Sequence, residues 1–443
     1  MFETVLVANR GEIACRVIRT AQQLGIKAVA VYSDADAKAR YVRMADEAIL
    51  LGSAPPAESY LDARKVIEAA QQSGADAIHP GYGFLSERAT FAQEVLDAGL
   101  IWIGPSPDAI DAMGDKINAR NIMERAGVPV AGGTAEPVTD ADDAVAEATR
   151  IGYPVMVKAS AGGGGIGMSI AEDEESLRAA FETARTRAER FFGNPAILLE
   201  RYLPRARHVE VQILGLADGR VVALGERDCS VQRRHQKVVE ETPSPGVDDT
   251  LRTRMIAAAV RAGEAIGYRN AGTVECLVSE GDFVFLEMNT RLQVEHPVTE
   301  LVTGLDLVAE QMRVAAGEPP GFDEIAPHGH AIELRVYAED PKRFLPGPGE
   351  ITTWHEPSGE GIRVDSGYEA GDVVTPHYDP LMAKLCAWGS DRGEALERAR
   401  AAVATFEIVG PKQNLPFHAE LLDNPDFVSG AYDTGIVDRM RAR

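Results

Sequence analysis

Cysteine is scarce. Cys15, Cys229, Cys276 and Cys386 are the only four in 443 residues, and no two form a CxxC pair. Their wide separation argues against a zinc site or a disulfide framework and for reduced thiols. No stretch approaches the roughly 18 uninterrupted apolar residues of a membrane span. The opening Met1-Phe2-Glu3-Thr4 carries no basic region and no cleavage site, so a cytoplasmic protein without a signal peptide is expected. Positive charge is also short: 45 Lys and Arg against 68 Asp and Glu give a net charge of −23. That excludes nucleic-acid binding by counterion release, which needs a basic footprint. A site that handles anions must then concentrate its few cations or recruit a divalent metal ion. There is no internal repeat, and the length calls for two or three domains.

What is present reads as alternating elements. Residues 4–8 (TVLVA) form a buried strand, Asn9–Glu12 a turn, 13–24 a helix stopped by Gly25, and 27–32 (KAVAVY) a second strand. The rhythm returns at 76–79 and 101–103, which predicts an α/β domain with a parallel sheet. His79-Pro80-Gly81-Tyr82-Gly83 follows a strand end, where such sheets place ligand loops. Helices over 107–126 lead to a smaller α/β unit with strands at 153–159, 168–171 and 196–200 and a helix near 174–190. Antiparallel strand signals dominate after 204. The expected division is an N-terminal α/β domain at 1–113, a helical linker at 114–130, a lid at 131–203 and a mixed α+β domain at 204–443.

Gly162, Gly164 and Gly167 satisfy GxGxxG, but Met168-Ser169-Ile170-Ala171 after them favours a strand, not the helix a dinucleotide loop requires. No Gly-Lys-Ser/Thr occurs, so there is no Walker A motif. Gly162, Gly163, Gly164 and Gly165 leave bare backbone N–H groups suited to closing over phosphates, and Lys158 stands on the strand that feeds them. The competing reading is a flexible surface turn.

Residues 271–278 (AGTVECLV) and 283–289 (FVFLEMN) read as a hairpin joined by Ser279-Glu280-Gly281-Asp282. Counting back from the turn places Glu275 within about one residue of Glu287, and alternation puts Glu287 and Asn289 on one face. Two carboxylates and an amide oxygen there repel unless a cation joins them, and oxygen-only ligands suit Mg²⁺ or Mn²⁺. The alternative is a solvent-facing pair on an amphipathic hairpin whose apolar face is Val284, Leu286 and Met288. Arg291, Gln293 and Glu295 extend the alternation and would make a pocket for a small oxyanion with a base at hand. Upstream, Gln232-Arg233-Arg234-His235-Gln236-Lys237 is a basic cluster in an acidic chain. Each element alone also fits an exposed polar strand or a solvated charge run, and their joint occurrence favours a site.

The motifs now align in order. They are Ala8-Asn9-Arg10-Gly11-Glu12-Ile13-Ala14, His79 to Glu87 (HPGYGFLSE), Met113-Gly114-Asp115-Lys116 and Lys158-Ala159-Ser160. Arg207-His208-Val209-Glu210, Glu226 to Glu240, Glu287 to Pro297 and Glu333 to Asp340 follow. With them the chain resembles biotin carboxylase, an ATP-grasp enzyme, from its first strand to near its C-terminus. The resemblance implies that Lys116, Lys158, His208, Gln232 and His235 bind nucleotide under the Gly162–Gly165 loop, with Glu200, Arg201 and Leu203 along the adenine edge. It implies that Glu275 and Glu287, with Asn289 beside them, hold Mg²⁺ or Mn²⁺. Lys237, Arg291, Gln293 and the Val294 backbone would hold bicarbonate, Glu295 would deprotonate it, and Arg335 would stabilise the biotin enolate.

Expected partners are a biotin carboxyl carrier protein, carboxyltransferase subunits and a second copy of the chain in a homodimer. No Met-Lys-Met motif occurs (only Arg439-Met440-Arg441), so the carrier is expected on another chain or outside this sequence. The leading reading is the biotin carboxylase subunit of an acetyl-CoA or acyl-CoA carboxylase, as in fatty acid biosynthesis. The equivalent subunit of a pyruvate or 2-oxo acid carboxylase and a weakly catalytic ATP-binding scaffold are the alternatives. One departure is visible: Ile166 stands where the family usually places arginine, so the lid tip lacks a cation.

Overall fold

In the computed structural model, residues 1–134, 136–159, 168–192 and 195–442 are described. Strands β1 (Thr4–Val7), β2 (Lys27–Ser33), β3 (Glu47–Gly52), β4 (Ala77–His79) and β5 (Ile101–Trp102) pair in parallel in the order β3-β2-β1-β4-β5. Their apolar runs are buried on both faces, as parallel strands require. Leu6, Val29, Val31 and Ile78 pack into one core, while Val5, Val7, Ala28 and Ala30 pack into another. The helix expected at 13–24 starts earlier, at Gly11, and runs to Gln23. The helices expected over 107–126 are Pro107–Gly114 and Lys116–Arg125. They break at Asp115, whose side chain accepts from Asn118 N and so caps the second. Lys116 thereby becomes the first residue of a helix.

The smaller unit is a sheet of β6 (Val155–Ala159), β7 (Ser169–Ala171) and β8 (Ile197–Arg201) in the order β7-β6-β8, all antiparallel. Helices Ala141–Ile151 and Glu174–Phe192 pack on it around Val155, Val157, Leu177, Phe181 and Leu199.

The rest is built on one antiparallel sheet. Its members are β9 (Arg207–Gly215), β10 (Val221–Arg233), β11 (Gln236–Thr242), β12 (Asn270–Ser279), β13 (Asp282–Asn289) and β14 (His330–Tyr337). The short strands β15 (Gly349–Glu350) and β16 (Thr353–His355) follow, then β17 (Ile362–Ser366), β18 (Val373–Val374) and β19 (Leu381–Gly389). The eight-stranded order is β13-β12-β9-β10-β11-β14-β19-β17. No helix among the described residues is long and apolar enough to cross a membrane.

Candidate active site

The hairpin β12–β13 turns through Glu280 and Gly281, both with positive φ (52° and 78°), a tighter link than the expected four residues. Glu275 pairs directly with Glu287, and Thr273 with Asn289. The next pair is Cys276 with Phe285, so Leu286 is an extra residue in the ladder. This bulge corrects the expected alternation. Phe283, Phe285 and Met288 enter the core, while Leu286 and Glu287 both line the cavity. On its other side Glu275 pairs with Glu210 of β9. Three carboxylates thus stand side by side on adjacent strands, an arrangement that repels without cations.

Two of the three are answered by protein. Lys237 Nζ donates to Glu210 at 2.5 Å, to Glu275 at 2.7 Å and to Glu295 at 2.7 Å. Beneath Glu210, the fully buried Arg227 donates to Glu210, Gln212, Thr299 and Thr273. Glu275 also meets His208 Nε2 at 2.9 Å and accepts from Asn289 Nδ2 at 2.7 Å and Gln293 Nε2 at 3.0 Å. Burial pushes Glu275 up, but Lys237 and His208 outweigh it and hold its carboxyl well below the usual range. Glu287 behaves oppositely: burial raises it, and the Glu275 charge raises it further. Among the described residues, no hydrogen bond or ion pair reaches Glu287. An unanswered carboxylate beside an ionised one fits a divalent cation. Asn289, expected as an oxygen ligand, turns its Oδ1 to Arg291 Nη2 at 3.1 Å. Two other groupings bring ligand atoms within 4.8 Å among the described residues, His208–Glu210–Glu275 and Glu210–Cys229–Glu295, but Lys237 and Arg227 already occupy Glu210.

The strand stops at Asn289, so Arg291, Gln293 and Glu295 do not continue its alternation. A loop from Thr290 to Glu295 delivers them, and Glu295 sits at the N-cap of helix His296–Thr303. Glu295 is fully buried, with Lys237 at 2.7 Å on one oxygen and Arg335 Nη2 at 3.0 Å on the other. Burial raises its carboxyl, yet Lys237, Arg335 and Arg227 prevail and keep it well below the usual range. Arg335 Nε donates to Glu240 Oε1 at 2.6 Å. Arg291 donates to Glu87 at 3.1 Å and to Gln293 Oε1 at 2.8 Å.

Two cavities meet at these groups. The first, of about 410 Å³, brings together Lys116, Lys158, Glu200, Arg201, Leu203, His208, Gln232, His235, Lys237, Glu275, Glu287 and Asn289. In it Lys158 is ion-paired with Glu200, and Gln232 Nε2 lies 2.8 Å from His208 Nδ1. His235 sits in a two-residue turn with Arg234, both at positive φ (67° and 47°), where Asn-Gly is the relaxed choice. The second cavity, of about 620 Å³, is lined by Glu12, Tyr82, Phe84, Tyr337, His377 and Tyr378. The cavities share Gln236, Arg291, Val294 and Arg335. Sequence reasoning missed the second cavity, since its lining is spread over many separate segments. Glu12, Tyr82, Phe84 and Tyr337 lay in motifs it singled out, whereas His377 and Tyr378 did not. Gly162–Gly165 and Ile166 lie outside the described residues.

Family models match nearly the whole chain: biotin carboxylase, N-terminal domain, over 1–110 and biotin carboxylase C-terminal domain over 333–439. Between them, the carbamoyl-phosphate synthase L chain ATP binding domain matches 115–320.

The chain belongs to the biotin carboxylase family.

It is 53% identical to biotin carboxylase of Halalkalibacterium halodurans, over 99% of this chain and 97% of that one. It is 50% identical to a pyruvate carboxylase subunit of Methanothermobacter thermautotrophicus, over 100% of this chain and 90% of that one. The Campylobacter jejuni biotin carboxylase–β-γ-ATP complex superposes with a TM-score of 0.96 at 44% identity, covering 99% of both chains. The biotin carboxylase domain dimer of Hydrogenobacter thermophilus 2-oxoglutarate carboxylase, with MgADP, ADP and bicarbonate, gives 0.95 at 45% identity, covering 99% of this chain and 98% of that one. The fold is ATP-grasp and the protein is an ATP-dependent biotin carboxylase.

Proposed function

We propose that the chain carboxylates the biotin of a separate carrier protein with bicarbonate and ATP, as the first half-reaction of an acyl-CoA carboxylase. The observation that carries this reading is the meeting of Lys237, Arg291, Gln293 and Arg335 where the two cavities join, with Glu295 buried behind them on Lys237 and Arg335, beside the unanswered Glu287.

Bicarbonate is a poor electrophile, so a bicarbonate oxygen attacks the γ-phosphorus of ATP and ADP leaves. Glu295, ionised by its cationic neighbours, takes the bicarbonate proton. Lys237, Arg291, Gln293 and the Val294 N–H hold the anion, and Lys116, Lys158, His208, Gln232 and His235 hold the nucleotide. Glu275 and Glu287 would hold Mg²⁺ or Mn²⁺, which supplies charge neutralisation for phosphoryl transfer. Carboxyphosphate breaks down to CO2 and phosphate. The phosphate accepts the ureido N–H proton, and the nitrogen attacks CO2. Negative charge developing on the ureido oxygen would be met by Arg335, which borders the larger cavity.

The roles of these residues, the domain limits 1–113, 114–130, 131–203 and 204–443, a cytoplasmic location and a homodimer belong to the same proposal. A core confined to residues 138–199 supports the lid limits, and a similar structure described as a domain dimer supports the homodimer. The 50% identity to a pyruvate carboxylase subunit favours a second reading in which a 2-oxo acid transferase is the partner. The decisive experiment measures ADP release and carboxybiotin with free biotin. Bicarbonate-dependent ADP release with carboxybiotin formation is the expected result. ADP release indifferent to bicarbonate overturns the proposal.

A further inference from the structure

Lys384 is a cation without surface. It stands on β19 at 0% exposure, outside the motifs that mark the site in the sequence. Its Nζ donates to the Val294 carbonyl oxygen at 2.8 Å and lies 3.2 Å from Glu12 Oε2. Glu12 comes from the first turn of helix Gly11–Gln23, is 3% exposed, and lines the larger cavity with no well-formed hydrogen bond to either oxygen. Buried charges persist only when paired. These two pair with each other across the N-terminal and C-terminal parts of the chain.

Lys384 holds one of the two peptides that meet at Val294, and His296 holds the other. The Gln293 carbonyl lies 2.9 Å from His296 Nδ1, and the Val294 carbonyl is held by Lys384. With the carbonyls on both sides of Val294 tied, its N–H keeps one direction. Among the described residues, no backbone hydrogen bond uses that N–H.

We propose that Lys384, with Glu12 as its counter-ion, is a positioning residue for bicarbonate: it fixes Val294 by its carbonyl oxygen so that the Val294 N–H on the preceding peptide meets the anion. This rests on the reading that bicarbonate is held by Arg291, Gln293 and Val294. Glu333 and Arg335 from β14, Asp365 from β17 and Cys386 from β19 also face the pair, and His296 lies within range of the Lys384 charge. The Tyr82 ring lies 5.9 Å from Nζ. Burial pushes the Glu12 carboxyl up to about 7 against the pull of Lys384. Above that pH Glu12 neutralises the ammonium. Below it the pairing is lost and the peptide loosens.

The test uses the full chain, free biotin and concentrations of the bicarbonate ion itself. Glu12→Gln keeps the volume and removes the charge. Near pH 8 its KM for bicarbonate is expected to rise about three- to tenfold while KM for MgATP stays within about twofold. The wild-type rise in bicarbonate KM between about pH 8 and 6 is expected to flatten in this variant. Lys384→Met, checked for folding by thermal unfolding, is expected to show the larger bicarbonate defect. A bicarbonate KM in Glu12→Gln that does not rise overturns the proposal. So does a fall in kcat with both KM values unchanged, which marks a merely structural residue. Gln293→Ala separates the levels. An unchanged bicarbonate KM there overturns the bicarbonate reading itself. A raised KM there with wild-type values in Glu12→Gln overturns only the role of Lys384.

Discussion

Glu275 and Glu287 are paired residues with opposite electrostatics. Glu275 is held low by Lys237 and His208 against burial, and Glu287 is held high by burial and by Glu275. A carboxyl raised in the folded state stabilises only below its unfolded value, and that contribution is lost as pH rises. Glu287→Gln is therefore expected to raise the melting temperature of the metal-free protein near neutral pH and to cut Mg²⁺-dependent turnover by roughly 10²-fold or more. Unchanged Mg²⁺ dependence sinks the assignment. Glu295 and Arg335 touch each other yet are assigned to different steps. Glu295→Gln is expected to lose roughly 10²–10⁴ in both biotin-independent ATP cleavage and carboxylation. Arg335→Ala is expected to lose roughly 10²–10³ in carboxylation and to retain slow ATP cleavage without biotin. ADP and carboxybiotin measured side by side distinguish them, and the reverse pattern overturns both roles. Glu275 and Glu287 were legible because charge interrupts an apolar strand, whereas Arg335 came only from the resemblance. Arg227 lay inside a quoted motif without a role of its own, and Lys384, though it too interrupts an apolar strand, lay outside every motif.

At the scale of elements, the parallel sheet and the hairpin followed from apolar runs and turn residues, but two local events did not. The bulge at Leu286 resets which side chains face the cavity, and the end of β13 at Asn289 hands Arg291 to Glu295 over to a loop. Both are set by tertiary packing: Phe283 and Phe285 fill the core under the helix Asp249–Ala265, and the ladder absorbs the extra residue. The turn Arg234-His235 shows the same conflict between local preference and site. Two side-chain-bearing residues at positive φ cost stability, and His235 gains a place in the first cavity. Replacing the pair by Asn-Gly (Arg234→Asn with His235→Gly) is expected to raise the unfolding free energy by about 1–2 kcal/mol. The apparent KM for ATP is expected to rise with it. Denaturant unfolding and an ATP titration check both, and a gain in stability with unchanged KM removes His235 from the nucleotide site.

The whole molecule couples one thin unit to a thick one. The core around Val155, Val157, Phe181 and Leu199 draws every member from residues 138–199, and its sheet has three strands. The eight-stranded sheet is flanked by larger cores. A small core opens at lower free energy than a large one. The first cavity lies across both, with Met156, Lys158 and Glu200 from the small unit and Lys116, His208 and Glu287 from outside it. In a chain of net charge −23, the Lys158–Glu200 ion pair occupies a scarce cation, which a bound nucleotide would have to win from the carboxylate under the proposed function. A ligand that bridges the units adds its binding free energy to the weaker one, about 2.7 kcal/mol at a hundredfold excess over Kd. Hydrogen exchange of the free protein is expected to be faster in β6 and β8 than in β9 and β12. Saturating MgADP is expected to slow β6 and β8 by up to about 100-fold while β9 and β12 change little. Uniform protection across both sheets would show that the units open together, and protection of β9 and β12 alone would place the nucleotide away from Lys158.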